Sequence, residues 1–254
     1  QRKLRMPPAT DRKGIAGWNY LLLSALADVV QYCPVDIIQN QAFTLIQQTV
    51  EGCLTQFLTV DKESGRHLMK HSNTIENQAL YFEDYVQFTD AQLRLFEITG
   101  NEVFKRNALD SLEFTVKNFV VDGQVYSTAV SRGTVGIENL PAPTFDQSYR
   151  SSVMTLLHLL SRCSVFKAEF NPTEIFKTRL GDFQQFALAN PLGYGEGLRA
   201  MTYPLSIYRR IEVPYKWIEN PEFLEMRSHF FSRFVLDYHT REDESYQICN
   251  REAC

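Results

Sequence analysis

Tryptophan is almost missing from this chain, with 2 residues in 254 against 18 Phe and 12 Tyr. Basic runs that would track a phosphate backbone are absent, and the formal charge is 26 − 30 = −4. Both points argue against nucleic-acid binding. No apolar run can span a bilayer, because the longest, Tyr20–Leu23 and on to Val30, is broken by Ser24 and Asp28. No complete catalytic signature is present. Gln1–Pro8 is not followed by a typical h-region and cleavage site, so a signal peptide is not expected. An initiator Met is lacking as well, and the chain is expected to be a processed or excised piece of something longer.

What remains is ordinary for a soluble globular protein: 44% hydrophobic and 22% charged residues, enough to bury a substantial core. The 13% of aromatic residues fill wide helix–helix spaces or line ligand clefts. Of the five cysteines, Cys33, Cys53 and Cys163 sit on apolar or helical stretches and read as small buried residues of a reducing, cytoplasmic compartment. Cys249 and Cys254 are separated by four residues, which fits neither a C-x-x-C redox motif nor half of a usual zinc knuckle. They read as dangling terminal thiols or, alternatively, as a redox pair.

Hydrophobic periodicity predicts a run of helical hairpins. A helix over 13–31 is apolar around nearly its whole circumference and therefore central; Asn19, its buried amide, either ties helices together or faces a cavity. After Cys33-Pro34, a one-sided outer helix runs over 36–58. Residues 59–76 are polar and irregular. His67 and His71 are four apart, but no Glu follows His67 and Gly65 argues against a helix, so no metal site is expected. A helix over 77–99 ends at Gly100, and Asn101 caps its partner to Phe119. Asp122-Gly123 signals a tight turn. Helices over 146–163, 172–188 and 195–203 follow. From Ile207 the period shifts to two, predicting a small strand–helix–strand–strand unit over 207–254 beside a helical region over 1–206. Repeated hairpins of this kind close into rings or superhelices.

The segment Tyr81–Phe88 holds the most informative carboxylates, Glu83 and Asp84. Neighbours on a helix diverge by about 100°, so the two cannot share one target. Glu83 heads a polar stripe with Gln87, Asp90, Arg94 and Glu97, whereas Asp84 heads an apolar one with Phe88, Ala91, Leu95 and Ile98. Asp84 is thus the desolvated member. It pairs with an arginine or caps a neighbouring helix, or else both residues line a cavity mouth where a carboxylate holds a hydroxyl or moves a proton. Arg150 is the natural charge partner, and Trp18 is either core or a stacking wall.

The order of Asp11-Arg12-Lys13, Trp18-Asn19, Phe82-Glu83-Asp84-Tyr85, Ser152-Val153 and the closing Cys249-x-x-x-x-Cys254 resembles the C-terminal part of the thioredoxin-domain-containing YyaL / spermatogenesis-associated protein 20-like family. The resemblance implies an (α/α) toroid similar to six-hairpin glycosidases and N-acylglucosamine 2-epimerases, here a partial ring of about eight helices with a small C-terminal βαββ unit. It also implies a carbohydrate-active or carbohydrate-binding site with Glu83 and Asp84 as catalytic candidates and Trp18, Asn19, Tyr85 and Arg150 as lining. No cofactor is implied. Partners would be a small carbohydrate and a thioredoxin-like domain of the same longer protein; the alternative is a non-catalytic scaffold for that domain, with Cys249 and Cys254 in contact with it. The chain departs from the family in three respects. Arg12 stands where a second Asp is usual, Ser148-Tyr149-Arg150-Ser151-Ser152 replaces a Pro-Ser-Gly-Asn-Ser-like motif, and no thioredoxin-like segment is present.

Overall fold

The structure, a computed structural model, describes residues 10–60, 67–74, 79–129, 140–167, 169–201, 208–229, 234–241 and 245–249. Two helical hairpins come first, α1 (Ala16–Tyr32) with α2 (Asp36–Phe57) and α3 (Phe82–Thr99) with α4 (Glu102–Phe119). Then α5 (Ser152–Cys163), α6 (Thr173–Ala189) and the short α7 (Gly195–Met201) follow, and α6 packs on α7 and on Gln124–Val125 rather than closing a hairpin with α5. Between these units α1 packs on α3, α3 on α5 and α5 on α7. The protein is mainly helical.

Local chemistry sets the boundaries. Gly100 ends α3 with φ +64°, where an added Cβ would stand 2.7 Å from the Tyr215 ring, so a side chain is excluded by both conformation and space. Asn101 then caps α4 by accepting from the Val103 N–H at 3.0 Å. The α5 body, Val153, Leu156, Leu157, Leu159 and Leu160, is fully buried, each side chain contributing about 1.5–3 kcal/mol of transfer free energy.

Two helices begin later than periodicity suggests. The α3 helix starts at Phe82, since Leu80 and Tyr81 pair with the segment that follows Val125: the Phe82 N–H donates to the Ser127 carbonyl at 3.0 Å. The α5 helix starts at Ser152 because Asp146, which resembles a cap in sequence, holds the lead-in loop instead. Its carboxylate accepts from the Ser151 N–H at 2.7 Å and from the Glu196 N–H at 3.0 Å. Ser151 is the true cap. The first helix is also less central than its composition suggests: Trp18, Leu22 and Tyr32 are 61%, 50% and 47% exposed.

Short strands punctuate the loops. Strand β1 (Leu58–Val60) pairs with β2 (His67–Met69), and β3 (Val120–Val121) pairs with β4 (Gln124–Val125) around Asp122-Gly123. Near the end of the chain, β5 (Arg209–Pro214) pairs parallel to β6 (Phe234–His239), with α8 (Pro221–Ser228) between them in sequence, and antiparallel to β7 (Gln247–Cys249). This is the expected strand–helix–strand–strand order.

The small sheet seals the C-terminal end of α3. The Tyr238 hydroxyl donates to the Glu97 carbonyl at 2.6 Å, an Arg227 guanidinium N–H donates to the Ile98 carbonyl at 3.4 Å, and Lys105 Nζ donates to Asp237 Oδ1 at 2.7 Å. Phe96 joins Ile211, Val213, Phe223, Leu236 and Tyr238 in one apolar cluster, which shares Phe104 and Phe166 with the main core. Among the described residues, no helix is long and apolar enough to cross a membrane.

Candidate functional site

The N-terminal end of α3 is open where its C-terminal end is covered. A narrow cleft of about 100 Å³ lies between the heads of α3 and α5, walled by Tyr81, Phe82, Pro143 and Phe145 and by Glu83, Tyr149, Arg150 and Ser152. The late start of α5 creates it, since residues 146–151 form a bent, non-helical loop that carries Tyr149 and Arg150 to the wall. The Tyr149 hydroxyl donates to Glu83 Oε2 at 2.6 Å. Burial, then the bond to Glu83, raises the Tyr149 phenol, while the Trp18 side chain, hydrogen-bonded to the same hydroxyl, opposes that rise. The phenol therefore keeps its proton at neutral pH and serves as a donor.

The two adjacent carboxylates part company. Asp84 is 1% exposed and does not line the cleft. Its Oδ1 accepts from the Gly17 N–H at 2.8 Å in the first turn of α1, and its Oδ2 lies 2.9 Å from His71 Nδ1. Capping a neighbouring helix was one of the roles expected of it. Gly17 is required here, because a Cβ at that position would sit 2.9 Å from Asp84 Oδ1. Burial raises the Asp84 carboxyl above its ordinary range despite His71 and Gly17; the hydrogen bond to Asp84 raises His71 in turn. The His71 ring stacks on Tyr81, a wall of the cleft, at 4.5 Å between centroids.

Below the cleft, the polar stripe of α3 is not a solvated face. Gln87, Asp90 and Glu97 are buried against cations from neighbouring helices and loops. Arg150 Nη2 donates to Asp90 Oδ2 at 2.5 Å, and Arg94 Nε to the same oxygen at 2.9 Å. Arg94 also pairs with Asp28 of α1. Burial alone would raise the Asp90 carboxyl, but Arg94, Arg150 and Arg162 together hold it well below the usual range. Lower down, Arg162 Nη2 donates to both Glu97 oxygens at 2.7 Å. Next to it His158 lies against Arg199, and burial plus the Arg199 and Arg162 charges keep its imidazole neutral.

The remaining expectations divide. Trp18 is 61% exposed, so it is not core, but it does not line the cleft. Asn19 donates to the Ile15 carbonyl of its own helix at 2.7 Å; it neither bridges helices nor meets the cleft. Tyr85 faces away from the cleft, where its ring stacks on Phe114 at 4.8 Å and its hydroxyl accepts from the Met69 N–H at 3.0 Å. It does not line this cleft, because α3 turns it about 200° from Glu83, and lines instead a second cavity of about 880 Å³ with Met69, Phe88 and Phe114. Cys249 is buried and disulfide-bonded, hence not a dangling thiol; Cys254 lies outside the described residues. The Cys53 and Cys163 thiols are pushed by burial to about 11 and about 12, leaving them unreactive as thiolates. His67 stands in β2, which ends at Met69, so it shares no helix with His71.

Sequence reasoning did not find Tyr149 or His71. For Tyr149 the only signal was its place in the polar lead-in to α5. Comparison with family models and with curated proteins finds no match.

Proposed function

We propose that the chain is the C-terminal, carbohydrate-active or carbohydrate-binding part of a thioredoxin-domain-family protein, its hairpins forming part of an (α/α) toroid, with Glu83 as the functional carboxylate. The carrying observation is the Glu83–Tyr149 pair on the wall of a cleft at the helix heads. A carboxylate held by a protonated phenol, beside the aromatic rings of Tyr81 and Phe145, offers both of the contacts a sugar uses: hydrogen bonds at the ring edge and stacking on its apolar face. Asp84 acts behind it as the anchor of the α1 N-terminus. Arg150 supplies charge at the same wall.

Ligand-observed NMR with a panel of neutral monosaccharides provides the test. Binding to the wild-type protein that drops at least about tenfold in Glu83→Gln supports the reading, since losing a hydrogen bond to a charged group costs about 1.5–3 kcal/mol. Absence of binding across the panel, or binding indifferent to the substitution, sinks it.

The Cys249 disulfide favours a second reading, a scaffold that partners a thioredoxin-like redox domain. A disulfide is at odds with an ordinary reducing cytoplasm unless it is cycled, and cycling is what such a partner would do. Thiol trapping of Cys249 that changes only when the redox domain is present would favour the scaffold.

A further inference from the structure

One wall of the cleft leans on a ring that stands outside it. Tyr81 lines the cleft, and the His71 imidazole stacks on the Tyr81 ring at 4.5 Å between centroids, tilted by 38°. Both backbones are pinned. The His71 carbonyl accepts from the Ala16 N–H at 2.9 Å, and the next residue, Ser72, bridges to Ile15. Tyr81 bridges to Thr128, between a Leu80 carbonyl that accepts from the Ala129 N–H at 3.1 Å and a Phe82 N–H that donates to Ser127. Side-chain rotation is the freedom left to the two rings. The imidazole is held against it by Asp84, whose Oδ2 lies 2.9 Å from Nδ1 and whose other oxygen is tied to the Gly17 N–H.

The strength of both contacts of the imidazole depends on one proton. Protonated, it gives Asp84 a charge-assisted bond and sets a cation against the π face of Tyr81, which favours the stacked ring about two- to fivefold. Neutral, it keeps a weaker bond to Asp84 and loses the cation–π attraction. The charges around it favour the proton: Asp84 and Glu83 of α3 attract it, while Lys13, ahead of α1, opposes them with its ammonium 3.0 Å from Asp11. The histidine side chain is 29% exposed, so the proton exchanges with solvent.

We infer that His71, anchored by Asp84, is a positioning residue that holds the Tyr81 ring in the cleft wall when protonated and loosens it as pH rises. This rests on the reading of the cleft as a carbohydrate site, to which it adds a dependence on pH through a residue that does not line the cleft.

NMR titration from pH 5.5 to 9, with labelled histidine and tyrosine rings, provides the test. The NOE between the His71 and Tyr81 rings should weaken as the histidine loses its proton. Tyr81→Leu should lower the His71 midpoint by about half a pH unit, because leucine offers no π face. A neutral monosaccharide that binds should do so about two- to fivefold more weakly on the alkaline side of that midpoint in the wild-type protein, and without that step in His71→Gln. A constant NOE, or a midpoint indifferent to Tyr81→Leu, overturns the inference. So does a sugar that binds the wild-type protein and His71→Gln with the same pH profile, in which case the carbohydrate reading stands. If no sugar binds at any pH, that reading falls alone, and the ring titration still decides the role of His71.

Discussion

The two ends of α3 carry similar chemistry and use it differently. At the head, Glu83 meets a phenol at the wall of an open cleft. At the tail, fourteen residues on, Glu97 meets a guanidinium under a lid of strands, with Tyr238 and Arg227 closing over the last backbone carbonyls. What separates a candidate site from a structural ion pair is the covering element, not the carboxylate. Residues 146–151 form a bent loop that leaves the head accessible, while β6 and α8 occupy the corresponding space at the tail.

The contrast can be broken most forcefully from below. Arg162→Met should cost about 3–5 kcal/mol in denaturant unfolding, because it strands Glu97 as an uncompensated buried charge. An effect below about 1 kcal/mol would show that water reaches this pair. Gly100→Ala should follow at about 1–3 kcal/mol, since a Cβ at φ +64° is strained and would press on Tyr215; the same melts check it.

At the head, the expected effect depends on pH. His71 is raised from its ordinary 6.5 by the hydrogen bond to Asp84, with Glu83 adding to the rise, and burial and Lys13 opposing it. Its contribution is therefore complete below about 6.5 and is lost as pH climbs through the folded-state value. Asp84, raised by burial, acts in the same direction from its ordinary 3.8 upward. Thermal melts should show stability falling as pH rises above 6.5, and His71→Gln should flatten that slope. An unchanged slope would mean that the histidine titrates as though alone. The smallest effect belongs to Glu83→Gln, within about 0.5 kcal/mol of wild type, because the amide oxygen still accepts from Tyr149. Ligand binding should suffer where stability does not.

The helix order and the closing strand–helix–strand–strand unit were legible because each element carries its own period. So was the burial of Asp84, written in Phe88, Ala91, Leu95 and Ile98 beneath it. The polar stripe on the next face was legible as polar but not as buried, since its cations Arg150 and Arg162 arrive from 60 and 65 residues away. Asp146 misled for the same reason, its second partner being Glu196, 50 residues on. Composition also overstated the centrality of α1. A helix can be apolar all round and still leave Trp18 and Tyr32 open, because α2 and α3, which pack on it, do not cover those positions.

The bond from Tyr238 to the Glu97 carbonyl spans 141 residues, which has a consequence for how the chain is made. At a synthesis rate of about 5–20 residues per second, roughly 7–28 s separate the emergence of the last turn of α3 from that of the tyrosine that closes it. During that interval the carbonyl faces water even after Arg162 has arrived for the carboxylate, and the turn above Gly100 has every reason to fray. The head of α3 finds its partners in α1 and the 67–74 segment already made and gains Tyr149 66 residues on, well before Tyr238. The nascent protein would thus carry a formed α3 head before it has a finished floor.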